Sequence, residues 1–310
     1  MAGAPEAHPV RGRFIAEGHV RIGSTNHLAG MLLVAVSALG FSTLGILGRY
    51  AYAAGMDALT ILFLRFSLAA VLMAVLLAAR HESLPRGPAL LRLIGMGAVG
   101  YVCQAFFYFS ALKYASPGLV AFLLYLYPVF VAALSALVLH EPIRRVKAIA
   151  LGLALTGTAL TVGPAGGQPL GMLLAILAAA TYSVYILVGS RVMKQVSALQ
   201  SSTVIFASAG ATSGILMAAN GPQLPATGVG WLVIGSMVLI ATALPVVTFL
   251  AGLGRVGATN AAMLSTLEPP VTVVLAAWLL NELLGPITLL GGVLILAAVL
   301  LLARSELRRG

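Results

Sequence analysis

Ten apolar runs, each close to the length that crosses a bilayer, fill this chain almost from end to end. They cover residues 28–50, 58–79, 89–112, 117–139, 146–163, 169–190, 199–219, 229–253, 257–280 and 286–304, numbered here helix 1 to helix 10. A hydrocarbon core of about 30 Å needs about 20 such residues in a helix. The runs lack the period-two alternation of a membrane barrel, so helices are predicted. The breaks between them are short and carry turn chemistry, as at Gly87-Pro88, Gly163-Pro164, Gly221-Pro222 and Gly285-Pro286. No break can hold a soluble domain. Only 8% of residues are charged and mean hydropathy is +1.05, against about 25% charged in a soluble domain. The expected fold class is an all-α integral membrane protein with ten transmembrane helices.

The second half repeats the first. Ala111 to Pro142 aligns without gaps on Gly252 to Leu283, placing Pro128 on Pro269 and Glu141 on Glu282. The same register places Gly30-Met31-Leu32-Leu33 on Gly171-Met172-Leu173-Leu174, and Gly48 on Gly189. A single register without insertions implies internal duplication. The expected units are a tail at residues 1–27, a first five-helix repeat at 28–163 and a second at 169–304. Five is odd, so the second repeat enters the membrane from the opposite side and the two are inverted. Inverted repeats mark secondary transporters, with the site near the midplane between the halves.

The net charge of +10 does not point to nucleic acid, because the basic residues sit in short loops and tails. With ten helices, one side collects fifteen Lys and Arg, from Arg11 to Arg309, and the other only Arg49 and Lys113. The positive-inside rule makes the first side cytoplasmic, with both termini there. The tail lacks an apolar segment with a cleavage site, so it does not read as a signal peptide. The lone Cys103 permits no disulfide within one chain.

Polar residues at membrane depth are the functional candidates. Glu268 falls midway along helix 9, directly before Pro269 and Pro270. Two readings are open for it: a carboxylate that binds a proton or a substrate ammonium, or a structural partner of Arg65, the other charge at membrane depth. On helix 3, Tyr101, Gln104 and Tyr108 follow steps of three and four and share a face. Tyr125 and Tyr127 form an aromatic set on helix 4. Tyr182 and Tyr185 repeat the pattern on helix 6. Tyrosine pairs an apolar body with a polar tip, which suits a cavity for amphipathic solutes. Phe41 and Thr266 complete the expected substrate-binding set. Pro128, Pro245 and Pro269 are candidate hinges, with kinked packing as the alternative. Glu141 and Glu282 read as local caps or ion-pair partners in tight turns, and His140 as a solvated loop residue. Gly152, Gly157, Gly291 and Gly292 suit close helix packing or a dimer contact, which leaves monomer and homodimer both open.

The segments Ala111-Leu112-Lys113-Tyr114-Ala115-Ser116-Pro117, His140-Glu141-Pro142, Gly257-Ala258-Thr259-Asn260-Ala261-Ala262, Glu268-Pro269 and Asn281-Glu282 resemble the signature of the EamA-type drug/metabolite transporters. The resemblance covers nearly the whole chain as two five-helix repeats. It implies a secondary transporter of the bacterial inner membrane that exports amino acids or other small metabolites. It also implies a cavity lined by helices 1, 3, 4, 6, 8 and 9. Export of drugs or other metabolites by proton antiport is the alternative. No cofactor or metal is expected. An intramembrane enzyme is the main rival class. No Walker loop, His-x-x-x-His pair or helix-borne Ser/His/Asp set supports it, and a channel would show a repeated pore motif.

Overall fold

The computed structural model describes residues 16–111, 114–115, 117–140, 142–162, 168–280 and 285–307. The described residues are helical apart from short connections, and nine helical spans among them are long and apolar enough to cross a membrane. Helix 5, Arg145–Val162, is the expected span outside that set. Helix 1 begins at Ala16, upstream of the predicted residue 28. Glu141, Asn281, Glu282, Lys113 and Ser116 lie outside the described residues.

The pairing of helices between the repeats shows the inversion. Helix 2, Ala58–Ala79, packs along helix 7, Ala198–Asn220. Gly210 sits against Ser67, Gly214 against Phe63, and the Gln223 amide donates to the Thr60 hydroxyl at 3.0 Å. As residue numbers fall along one helix they rise along the other, so these equivalent helices run antiparallel. A repeat related by an axis along the membrane normal would make them parallel. Helix 5 packs in the same way on helix 10, Pro286–Leu307. A Cβ on Gly157 would lie 2.7 Å from the Gly291 carbonyl oxygen and 2.8 Å from Ile295. Gly157 and Gly291 therefore serve close packing within the chain, whereas Gly152 has open space beside it.

Two further contacts are copies of each other under the repeat register. Helix 1 lies against helix 8, where the Arg255 Cβ and the Val256 Cγ1 close on Gly30. A Cβ built there would lie 2.7 Å from each. The Arg255 Nε donates to Asn26 Oδ1 at 3.1 Å beside it. The equivalent contact joins helix 6, Pro169–Val192, to the end of helix 3. A Cβ on Gly171 would lie 2.9 Å from Ala115 Cβ, and the Gln168 amide donates to the Tyr114 carbonyl at 2.8 Å. Gly30 and Gly171, like Val256 and Ala115, occupy matching repeat positions. The two contacts thus seal opposite ends of the molecule by the same device.

Several helices are interrupted, again at matching positions. Helix 3 runs Pro88–Gly95, widens into a π turn at Met96–Tyr101 and continues as Val102–Ala111. Helix 8 has Gly228–Val238, a π turn at Leu239–Ala243, then Leu244–Val256. In helix 8 the cause is Pro245, which lacks the amide a regular helix needs. The Thr242 hydroxyl caps the loosened turn by bonding the Met237 carbonyl at 2.8 Å. In helix 3 the turn contains Gly97 and Gly100, and Gly97 lies directly against the Ile205 carbonyl and Ser208 hydroxyl of helix 7. Helix 4 breaks at Tyr125 and Leu126, between Pro117–Leu124 and Tyr127–Val138. Helix 9 tightens to a 3-10 turn at Ser265–Leu267, between Ala258–Leu264 and Glu268–Leu280. Helix 1 also breaks, at Thr43, without a counterpart in helix 6.

Gly30→Ala should force the first seal apart and destabilise the protein by about 1–3 kcal/mol, the usual range for overpacking. Gly45→Ala, on the same helix with nothing within 4 Å of its would-be Cβ, should be neutral or gain about 0.5–1 kcal/mol from helix propensity. Melting temperatures of the two variants in one detergent check the contrast.

Candidate functional site

The interruptions of helices 4 and 9 face each other, and tyrosines gather there. Tyr127 is buried, with its hydroxyl toward the Ala262 carbonyl at 3.4 Å and bonded to Ser265. The Ser183 hydroxyl of helix 6 reaches the Tyr127 carbonyl at 3.2 Å. Ser265 and Thr266 bond back to the carbonyls of Ala261 and Met263. Side chains thus satisfy the backbone groups that the breaks release, which lipid cannot do.

From this point the rings form a connected series. Tyr125 and Tyr127 have centroids 6.2 Å apart, Tyr127 and Tyr182 4.8 Å, Tyr182 and Tyr185 5.9 Å, and Tyr185 and Tyr101 5.6 Å. Tyr101 meets Phe66 at 5.0 Å. The series crosses from helix 4 through helix 6 to helix 3 and ends on helix 2. Such tilted and offset pairs add about 0.5–1.5 kcal/mol each beyond area burial.

A charged group stands near each end. Glu268, first residue of the lower half of helix 9, hydrogen-bonds the Tyr125 hydroxyl. Tyr101, Tyr108, Tyr127 and Tyr182 also lie within its electrostatic range. At the other end the Arg65 guanidinium, 6% exposed, donates to the Tyr101 hydroxyl at 3.3 Å. It sits 4.7 Å over the Phe66 ring and 6.0 Å from that of Tyr101. Glu268 and Arg65 form no ion pair; their shared neighbour is Tyr101. Of the two readings open for Glu268, direct pairing with Arg65 is the one the structure does not bear out.

The remaining expected residues divide. Tyr101, Tyr182 and Tyr185 belong to the ring series. Tyr108 is half-buried and packs toward Leu119, Leu123 and Ala175. Gln104 is half-buried on the same helix, outside the ring series. Phe41 packs against the main core. The Thr266 hydroxyl is spent on its own helix. Pro128, Pro245 and Pro269 are all buried, and Pro245 lies against Gly40, whose would-be Cβ comes within 2.8 Å of it. Among the described residues no group of three or more His, Cys, Asp and Glu could hold a metal. A separate groove of about 500 Å³ lies at one end, lined by Ser83, Pro85, Arg86 and Gln200, and contains none of these tyrosines.

Sequence reasoning left Tyr125, Tyr127 and Arg65 out of the binding set. Two tyrosines separated by one residue point to different sides of a regular helix. The break between them removes that objection, and its signal was Pro128 directly after Tyr127.

Residues 28–163 and 169–304 each match the EamA-like transporter family. The chain belongs to that family. A Bacillus subtilis (strain 168) protein called an uncharacterized transporter, YcbK, is 25% identical over 278 residues, covering 85% of this chain and 89% of that protein. A solved crystal structure superposes with a TM-score of 0.80 at 23% identity, over 90% of this chain and 98% of the other. The protein is thus a multi-pass membrane transporter of this family, working in a lipid bilayer on small molecules.

Because Glu268 is not paired with Arg65, the two should couple only through their shared neighbour Tyr101. Glu268→Gln and Arg65→Met in a thermal double-mutant cycle should couple by well under the roughly 3–5 kcal/mol of a broken buried ion pair. A larger favourable coupling would return the ion-pair reading.

Proposed function

We propose that this protein exports small organic solutes, amino acids foremost, across the plasma membrane by alternating access, with both termini cytoplasmic. The observation that carries this reading is Glu268, hydrogen-bonded to Tyr125 inside a tyrosine cluster where two helices break at matching points. A carboxylate in an aromatic setting suits an ammonium group, through charge and through cation–π contact. Tyr101, Tyr182, Tyr185 and Tyr108 offer the apolar body and polar tips that an amino-acid side chain needs.

The paired seals support alternating access. One joins helices 1 and 8, the other helices 3 and 6, and inversion places them at opposite ends. Opening one while the other holds exposes the cluster to one side at a time. Pro245 beside its π turn, and Pro128 and Pro269 beside the breaks, are where helix halves can swing.

Proton antiport of drugs or other metabolites is the second reading. It is favoured by one observation: of the described carboxylates, Asp57 caps helix 2, Glu82 bonds Ser197 at the surface, and Glu17 and Glu306 fall outside the spans, which leaves Glu268 alone within them.

Counterflow in proteoliposomes across a panel of the twenty amino acids, with and without a pH gradient, tests both. At least one neutral amino acid should exchange, and Glu268→Gln should reduce that exchange about tenfold or more, as loss of a charge-assisted bond implies. Exchange of no amino acid would sink the leading reading. Gradient-driven flux of a cationic dye, lost in Glu268→Gln, would put the second in its place. For orientation, Gly221→Cys in a Cys103→Ala background should label from outside intact cells, and Lys194→Cys only after permeabilisation. The reverse pattern would turn the protein over.

A further inference from the structure

Among the described residues Arg65 has no counter-ion. The guanidinium carries five N–H donors and does not lose its proton in proteins. One donor reaches the Tyr101 hydroxyl at 3.3 Å, and the Nε, fully covered, meets no acceptor. The described carboxylates offer no partner: Asp57 is committed to the Thr60 amide, Glu82 to Ser197 and Glu268 to Tyr125, and Glu17 and Glu306 stand outside the spans. The aromatic faces of Phe66 and Tyr101 steady the cation, but such contacts are weak beside the cost of a buried unpaired charge at membrane depth. A purely structural anchor at this helix contact needs no charge, and an apolar side chain of similar volume would fill it at less cost.

The neighbours say what completes it. Tyr101 accepts from Arg65 and also lies in the electrostatic range of Glu268. Through Tyr185, Tyr182 and Tyr127 a continuous series of ring contacts, two stacked and one edge-on, runs from Tyr101 toward Tyr125 and Glu268. The site therefore has a cationic end, an aromatic middle and an acidic end.

We propose that Arg65 is the carboxylate-binding group of the transport site, so that the substrates carry a carboxylate, which meets the free guanidinium edge. A guanidinium suits this task because its planar fork binds a carboxylate through two parallel bonds. Simple amines and organic cations, which lack the carboxylate, are excluded. The guanidinium is covered while both seals are closed, so the substrate reaches it when one seal opens. The proposal rests on the reading of the tyrosine cluster as the substrate site and narrows it.

The test uses the full-length protein in detergent and three probes of one shape: L-tyrosine, tyramine, and 3-(4-hydroxyphenyl)propionate. Ligand-dependent melting shifts give apparent affinities. The wild-type protein should bind L-tyrosine roughly tenfold or more tightly than tyramine, the scale of a lost charge-assisted hydrogen bond. Arg65→Met should bind the two alike, and Arg65→Lys should keep part of the preference. Without ligand, Arg65→Met should melt at or above the wild-type temperature. Equal wild-type binding of L-tyrosine and tyramine overturns the proposal, and needs no variant to fold. So does a folded Arg65→Met that keeps the preference, or one that melts well below wild type without ligand. If L-tyrosine gives no shift but the propionate does, and Arg65→Met abolishes it, the anion site stands and the amino-acid reading falls. No shift with any carboxylate overturns the site itself.

Discussion

A hydrocarbon core offers no hydrogen bonds, so every backbone group that leaves its helical partner must be met from inside the protein. Among the described residues the spans depart from regular helix five times, and the departures are where polar side chains collect. The Thr242 hydroxyl covers the π turn of helix 8, Ser265 and Thr266 cover the 3-10 turn of helix 9, and Ser183 reaches across from helix 6 to the Tyr127 carbonyl. Thr43 does the same for helix 1 by bonding the Gly40 carbonyl at 2.7 Å. These breaks sit between packed helices, because only there can they be satisfied. The same requirement brings the tyrosines together, since a ring with a hydroxyl can both fill the space beside a break and bond to it.

Close approach of backbones is the second requirement, and glycine supplies it at selected points. Lipid tails give apolar helices no hydrophobic reason to associate, so tight packing must hold them. Gly30, Gly157, Gly171 and Gly252 each bring a helix to where a single Cβ would collide. All four of these contacts link the two repeats directly. Gly45, Gly48 and Gly152 have open space around them, and nothing in the structure explains why glycine stands there.

The fold was legible because duplication preserves register. The alignment of Gly30 with Gly171 already implied that whatever packs on one has a copy packing on the other, and the odd number of helices per repeat implied inversion. Fine geometry was less legible. Periodicity assumes a regular helix, so it placed Tyr101, Gln104 and Tyr108 on one face. The π turn that ends at Tyr101 instead delivers that ring to Arg65, Phe66 and Tyr185, while Tyr108 packs against a small cluster around Ala111 and Ala175. Tyr125 and Tyr127 were visible as aromatics but could not be joined without knowing that helix 4 breaks between them. Arg65 was visible as a buried charge, and its natural sequence partner was Glu268. Only three-dimensional placement shows that a row of rings stands between the two.

The arrangement ties the seals to the site mechanically. In helix 8 the rod Leu244–Val256 carries Gly252, Arg255 and Val256 against helix 1, and a π turn lies at its other end. In helix 3 the rod Val102–Ala111 runs from a π turn toward Tyr114 and Ala115, which press on helix 6. Each seal is therefore the far end of a stiff segment whose near end is a loosened turn. Tyr101 is the last residue of one such turn and touches both Arg65 and Tyr185. A swing of the helix 3 rod that freed Gly171 would have to turn about this residue, and so would disturb the contacts that cover the guanidinium. Helix 8 has no tyrosine at its turn; Pro245 against Gly40 of helix 1 stands there instead. The two contacts share a design, but only the one on helix 3 is built around a residue of the ring series. Under the proposed alternating access, opening on the helix 3 side would therefore disturb the contacts of the guanidinium directly, and opening on the helix 8 side would not.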